Sequence, residues 1–277
     1  MMKCVVKKWI SRVCLIFFAF LFLYPMMWNL WSSFKSNTEF LTAPFDFPKG
    51  IEIDNYVRAF TKANMGAYFL NSLYVVIAAT ALTLLFVIPI SYVLARYKFK
   101  GSKIILNFFM CCIFIQATYI MVPLFLQLNT MNLLDNLTAM SLVYAVFRFP
   151  FSIFLLVGFM KGIPIAYEEA AQIDGCSRIR ILISIIIPMA KPGIVTVGML
   201  SAMAYWNEYP LALVLIQSEE KKTLPVGLAN LYEVQQYATD WSALFAALII
   251  VLVPTILIYL LGQKQLIGGV GMGGIKE

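Results

Sequence analysis

Six stretches of this sequence run for about twenty mainly apolar residues or more, the length an α-helix needs to cross the hydrocarbon core of a bilayer. They are Val13 to Trp31, Tyr68 to Ala95, Ile104 to Leu126, Leu137 to Met160, Gly193 to Ile216 and Trp241 to Leu261. Their spacing predicts an all-α membrane protein of six transmembrane helices, with residues 1–277 forming a single transmembrane domain. Composition agrees, since 61% of the 277 residues are hydrophobic and 13% charged, against about 45 to 50% and about 25% in soluble domains. The first stretch follows Lys3, Lys7, Lys8 and Arg12 as a signal peptide would. It is too long for one and has no small-x-small cleavage site, so it reads as a retained span.

The formal charge of +7 does not point to nucleic acid, because the positive residues alternate between segments instead of gathering on one soluble face. Cytoplasmic segments carry the Lys and Arg excess. Lys3, Lys7, Lys8 and Arg12, then Arg96, Lys98, Lys100 and Lys103, then Lys161, Arg178, Arg180 and Lys191, then Lys264 and Lys276 fall on one side. Only Lys35, Lys49, Arg58, Lys62, Lys221 and Lys222 fall on the other, and Arg148 lies inside the fourth span. Both termini are therefore expected on the cytoplasmic side. With no histidine the commonest metal ligand and general base are missing. The five cysteines include no CxxC pair, and neither a metal site nor a disulfide framework is expected.

Two connections are too long to be turns. The outer one, Ser32 to Ala67, contains Pro44, Pro48 and Gly50, then a short helical piece in which Tyr56 and Phe60 sit four apart. The inner one, residues 161–192, begins Lys161-Gly162-Ile163-Pro164. Pro164 suits a helix start, Glu168 and Glu169 the early turns, and Gly175 a left-handed stop. A helix of two to three turns is expected, with the Ala170-Ala171 pair small enough for another protein surface to approach. Ser177 is the expected N-cap of a second helix running to Pro188, too short to span. That helix would tie the first one to the fifth span.

Glu169-Ala170-Ala171, three residues, Gly175, nine residues, Ile185, one residue, Ile187 and Pro188 resemble the EAA loop of bacterial ABC importer permeases. Ile187 stands where leucine is usual, a volume-conserving departure. The resemblance covers nearly the whole chain. Asp54-Asn55-Tyr56, Asn71-Ser72, Pro123-Leu124-Phe125, Trp206-Asn207-Glu208-Tyr209-Pro210 and Thr223-Leu224-Pro225-Val226-Gly227-Leu228 look like the second permease of maltose-type and other oligosaccharide importers. It implies a pore-forming subunit paired with a homologous second permease, an ABC ATPase dimer on the cytoplasmic face and an extracytoplasmic solute-binding protein. On this resemblance Glu168, Glu169, Ala170, Ala171, Asp174 and Gly175 are the ATPase-coupling residues, and ATP and magnesium sit on the partner ATPase. The chain has no GxxxxGK[ST] phosphate loop of its own.

Ionised side chains in the hydrocarbon centre are costly and point to a function or a partner. Arg148 lies 11 residues in from Leu137 and Glu208 lies 8 in from Ile216, which is roughly 16 and 12 Å of depth. An Arg148–Glu208 contact between the fourth and fifth spans, direct or through water, is expected, either as a static packing pair or in gating or substrate binding. Sugars are held by hydrogen bonds to hydroxyls and by aromatic faces. Tyr205, Trp206, Asn207, Glu208 and Tyr209 supply both on a span expected to line the pathway, though aromatic residues also mark membrane interfaces. Gln116, Thr118 and Tyr119 on the third span and Asn71 and Ser72 on the second are further candidates, with ordinary interhelical hydrogen bonding as their alternative role. Pro25, Pro89, Pro123, Pro210 and Pro254 fall one in each of five spans and suit a bundle that rocks between states. The resulting expectation is a sugar or oligosaccharide permease working by alternating access and not an enzyme. Two alternatives are a non-sugar solute such as a polyol or glycerol phosphodiester, and an intramembrane enzyme using Arg148, Glu208 and Tyr209.

Overall fold

The computed structural model describes residues 2–62, 64–238 and 240–273, and the side chains of residues 9–61, 64–232 and 240–264. Lys276, counted above among the inner charges, lies outside the described residues, as do the side chains of Lys3, Lys7 and Lys8. Among the described residues the secondary structure is helical throughout. Four helices are long and apolar enough to cross a membrane: α1 (Met2–Ser32), α4 (Met65–Arg96), α7 (Leu137–Lys161) and α14 (Trp241–Gly273). Two bent pairs raise the number to as many as six if each pair is one span.

The pairs are Ser102–Cys112 with Ala117–Thr130 and Arg178–Met189 with Lys191–Trp206, and the third and fifth stretches are each interrupted where one continuous span is expected. The third stretch, read as one helix over Ile104 to Leu126, is α5 (Ser102–Cys112), a turn, a 3₁₀ segment at Ala117–Ile120 and α6 (Met121–Thr130), bent by 89°. The fifth, read as Gly193 to Ile216, stops at Trp206 and resumes at Pro210, giving α11 (Lys191–Trp206) and α12 (Pro210–Leu215). Asn207 terminates α11 and Pro210 starts α12, where its missing N–H costs nothing. Irregular backbone at membrane depth is tolerated where it lines a cavity, and both breaks do so, as described below. Pro150 also lies inside α7, so the fourth span carries a proline as well.

The chain packs as two compact units. One comprises the described residues of Met1–Gly66 and Gly227–Val253. In it the side chains of α1 from Trp9 to Met27 are exposed, while the outer loop is tightly organised around α2 (Asn37–Thr42) and α3 (Asp54–Lys62). Buried Asn55 donates to the Ser33 and Lys35 carbonyls, both at 2.8 Å, and the Tyr56 and Ser33 hydroxyls are 2.7 Å apart. Lys35, fully buried, places its ammonium 2.8 Å from the Ala43 carbonyl and 3.0 Å from that of Pro44. The Arg58 guanidinium bridges Asp240 and Asp54. Its pKa is raised chiefly by the hydrogen bond to Asp240.

The other unit, Ala67–Val226 and Pro254–Glu277 by its described residues, holds the remaining spans and the inner segment. Two glycines there mark close helix approaches. A Cβ on Gly193 of α11 would meet the Phe159 ring of α7 at 2.5 Å, and one on Gly262 of α14 would meet Met199 of α11 at 1.7 Å. One apolar cluster joins Val87 and Tyr92 of α4, Ile153, Leu156, Val157 and Met160 of α7, and Ile163, Ala171, Ile181, Ile186 and Ala190 of the inner segment. The inner segment is thus part of the bundle core.

Candidate functional sites: an inner coupling helix and a polar cavity

The inner segment folds as α8 (Ala166–Ile173), α9 (Arg178–Ile181), a π-helical turn at Leu182–Ile186 and α10 (Ile187–Met189). Gly175, at φ +75°, provides the left-handed stop, with the Cys176 N–H reaching back to the Ala171 carbonyl at 2.9 Å and the Gly175 N–H to Gln172 at 3.0 Å. The Ser177 hydroxyl caps the next helix by accepting from the Arg180 N–H. The π turn has a local cause. Pro188 has no N–H for an i→i−4 bond, and the widened turn lets the Ile187 N–H reach the Leu182 carbonyl. Between Arg178–Met189 and α11 the chain bends by 76°, so the short apolar helix turns away from the span it precedes.

The expected coupling residues divide between two faces. Glu169, Ala170, Asp174 and Gly175 are exposed, beside Ile173, which is 87% exposed. Ala171 is buried in the bundle core, so only one member of the alanine pair is presented outward. Glu168 is buried too. Its Oε1 lies 2.6 Å from Arg96 Nε, and its Oε2 accepts from the Tyr92 hydroxyl at 3.0 Å. Arg96 also donates to the Ile163 carbonyl at 2.7 Å. Sequence reasoning counted Arg96 only as an inner charge and overlooked Tyr92. The available signal was their i, i+4 spacing on an otherwise apolar helix. Beside them Arg178 lies over the Tyr97 ring, 5.2 Å from its centroid.

The second site is a cavity of about 180 Å³ lined by Tyr144, Phe147, Arg148, Ala204, Tyr205, Glu208 and Leu211, with Ile115 and Ala117 from the break between α5 and α6. The expected direct Arg148–Glu208 ion pair does not form among the described residues. Arg148 instead donates to the Leu200 carbonyl at 3.2 Å and lies over the Phe151 ring at 4.4 Å. Glu208 Oε1 accepts from the Leu211 N–H at 3.0 Å, capping α12. The break in the fifth span explains the difference, since the carboxylate is used by the helix start that the break creates. Both groups still face the same cavity. Tyr205 stacks on Tyr144 at 5.8 Å and pairs with the Thr83 hydroxyl at 2.7 Å. The Tyr144 hydroxyl and Arg148 Nε have no protein partner among the described residues.

Other sequence candidates fall elsewhere. Trp206 is buried and packs edge-to-face on Phe69 at 5.5 Å, a core position. Asn207 is exposed, its amide bonded to the Met203 carbonyl at 2.8 Å. Tyr209 is half-buried at the start of α12. Gln116, Thr118 and Tyr119 are exposed at the bend of the third stretch, Tyr119 by 76%. Asn71 donates to the Glu220 and Lys222 carbonyls, and Ser72 accepts from the Leu224 N–H at 2.8 Å, so both brace the Thr223-Leu224-Pro225 corner from α4. Also there, Asp135 accepts from the Gln217 and Ser218 N–H groups, the Ser218 hydroxyl and the Lys221 ammonium. Burial pushes its pKa up, but those donors outweigh it and hold the carboxylate well below its ordinary range.

Broken apolar spans, a short inner helix fused to their core and a polar cavity half-way along define a subunit of a membrane transport system. The chain belongs to the family of binding-protein-dependent transport system inner membrane components, which matches residues 4–267. It is therefore a multi-pass inner-membrane subunit of a binding-protein-dependent transport system, a transport component and not an enzyme. It is 37% identical to the diacetylchitobiose uptake system permease NgcG of Streptomyces coelicolor, over 96% of this chain and 88% of that one. It is 34% identical to the sulfoquinovosyl glycerol transport system permease SmoH of Agrobacterium fabrum, over 92% and 89%. A crystal structure of a bacterial ABC transporter that imports the acidic polysaccharide alginate superposes with a TM-score of 0.81 at 26% identity, covering 94% of this chain and 96% of that one.

Proposed function

We propose that this chain is one of two homologous permeases of an ATP-driven importer for a saccharide, moving its substrate by alternating access. Its partners are the second permease, an ABC ATPase dimer that binds ATP and magnesium, and an extracytoplasmic solute-binding protein. Both termini face the cytoplasm. The exposed face of α8, with Glu169 and Ala170, and the stop that follows it, Asp174 and Gly175, dock in a cleft of one ATPase subunit and receive its closure. The observation that carries the proposal is the cavity, where a guanidinium, a carboxylate and two tyrosines face one space. Hydroxyl groups of a sugar both donate and accept, and this set offers both functions together with aromatic faces. ATP and substrate must each favour one conformation for the cycle to run.

The test is uptake into proteoliposomes holding this chain with its partner permease and ATPase, supplied with the binding protein and ATP. Accumulation of a labelled oligosaccharide that needs every component supports the function. Uptake of a polyol or glycerol phosphodiester in place of saccharide would overturn the substrate class, and chemical turnover by the purified chain alone would overturn the transport role. SmoH is named for a glycoside of different chemistry, so neutral and anionic saccharides both belong in the panel.

A further inference from the structure

Helix α4 is held by buried polar contacts at two levels. At its inner end Tyr92 and Arg96 grip Glu168 of the short inner helix, and the Arg96 and Glu168 side chains are only 9% and 6% exposed. Nine residues earlier, about 14 Å along the helix axis, Thr83 meets Tyr205, which lines the cavity. Thr83 donates its own proton to the Ala79 carbonyl at 2.8 Å, so in the 2.7 Å contact Tyr205 donates and Thr83 accepts. Ala79, Thr83, Val87 and Ser91, each fully buried, form an i+4 stripe that runs between the two levels. Pro89 removes one backbone bond within that stretch, so the helix can tilt there while keeping its length.

Separating Glu168 from Arg96 strands a charge away from water, which is strongly unfavourable, so the two groups move as one. We propose, resting on the importer function above, that α4 is the transmission rod between the inner helix and the cavity. Movement of α8 reaches α4 through Glu168, Arg96 and Tyr92, and reaches the cavity wall through Thr83 and Tyr205. Glu168 is then a positioning residue acting inside the chain, while its neighbour Glu169 belongs to the face presented to the ATPase. The fifth span, which the sequence singles out as the route, is the second of two routes. Coupling of this kind needs an element that both sites bias, and α4 touches both.

The experiment uses the complete reconstituted transporter with Cys4, Cys14, Cys111, Cys112 and Cys176 replaced by serine, and Ala204→Cys as a reporter in the cavity wall. The rate of thiol labelling is compared without nucleotide and after trapping with ATP and vanadate. The nucleotide-dependent change in that rate should shrink about tenfold in Glu168→Gln and in Thr83→Val, the order of an ordinary coupling between sites. The ATPase should co-purify at the unaltered ratio in both. The two changes combined should do no more than either alone, and the exchange Glu168→Arg with Arg96→Glu should restore part of the response. Tyr205→Phe, which removes the donating hydroxyl and keeps the ring, asks the same question where Glu168→Gln does not fold. Loss of the ATPase from Glu168→Gln would overturn the proposal by placing Glu168 on the docking surface. So would an undiminished response in Thr83→Val and Tyr205→Phe. A complex that takes up no saccharide but keeps this labelling pattern supports the rod and removes the sugar function alone.

Discussion

Arg148 and Glu208 face one cavity of about 180 Å³ without forming an ion pair. Each has a different local partner, Arg148 the Leu200 carbonyl and Glu208 the Leu211 N–H. Their relation is therefore through the cavity and not through mutual attraction. A double-mutant cycle of Arg148→Leu and Glu208→Gln, read as thermal unfolding of the solubilised complex, should give a stability coupling below about 0.5 kcal/mol, as for sites that do not touch. Uptake should fall about tenfold or more in each single variant. A coupling of several kcal/mol would show that the two charges pair after all, and normal uptake by Arg148→Leu would remove it from the pathway.

Gly175 carries the sharpest local constraint on the inner segment. Its φ of +75° is disfavoured for a side chain, and its N–H bonds to Gln172. Gly175→Ala should cost about 1 kcal/mol through the left-handed backbone, leaving uptake reduced but measurable. Gly175→Pro forbids the conformation and deletes the donor, so it should abolish uptake while the chain stays in the membrane. Glu169→Lys should do the same without disturbing the fold, since Glu169 is exposed. Co-purification of the ATPase with each variant checks the docking role directly, and normal uptake in Glu169→Lys would refute it.

How much of this was legible beforehand follows from the residues themselves. The inner helix, its glycine stop and the Ser177 cap were readable because each rests on local chemistry within four residues. The break before Pro210 had a signal too, in the proline after Asn207-Glu208-Tyr209. The 89° bend after Cys112 had none at its own position, since residues 113–117 include neither glycine nor proline. There the apolar pattern simply continues through a turn. Burial of Glu168 against Arg96 is a contact across 72 positions, and no local rule distinguishes Glu168 from Glu169.

Close helix approach supplies a prediction that tests packing. A methyl on Gly193 would sit 2.5 Å from the Phe159 ring, so α7 and α11 must separate or Phe159 must turn. Overpacking of this sort costs about 1 to 3 kcal/mol. Gly193→Ala should lower the unfolding temperature, and Gly193→Ala with Phe159→Leu should recover most of the loss. Gly158→Ala is the control, because nothing lies within 4 Å of a Cβ there and alanine suits a helix better than glycine, so the unfolding temperature should hold or rise.

The outer corner should respond to acid. Asp135, with a φ of +54°, is held below its ordinary pKa, and Glu219 is lowered as well by Lys222 and then by the Tyr68 hydroxyl. Because the folded-state values are depressed, the stabilisation is fully present above the unfolded carboxylate values of about 4. It is lost as pH falls from there toward the folded values. Amide exchange at Gln217 and Ser218, whose N–H groups Asp135 accepts, should stay slow above about pH 5 relative to the pH-corrected intrinsic rate, and should rise below about pH 4. Asp135→Asn tolerates the left-handed backbone but removes the charge that Lys221 sees. It should speed exchange at those two amides at neutral pH and flatten the acid response, whereas an unchanged acid response in that variant would place the titrating group elsewhere.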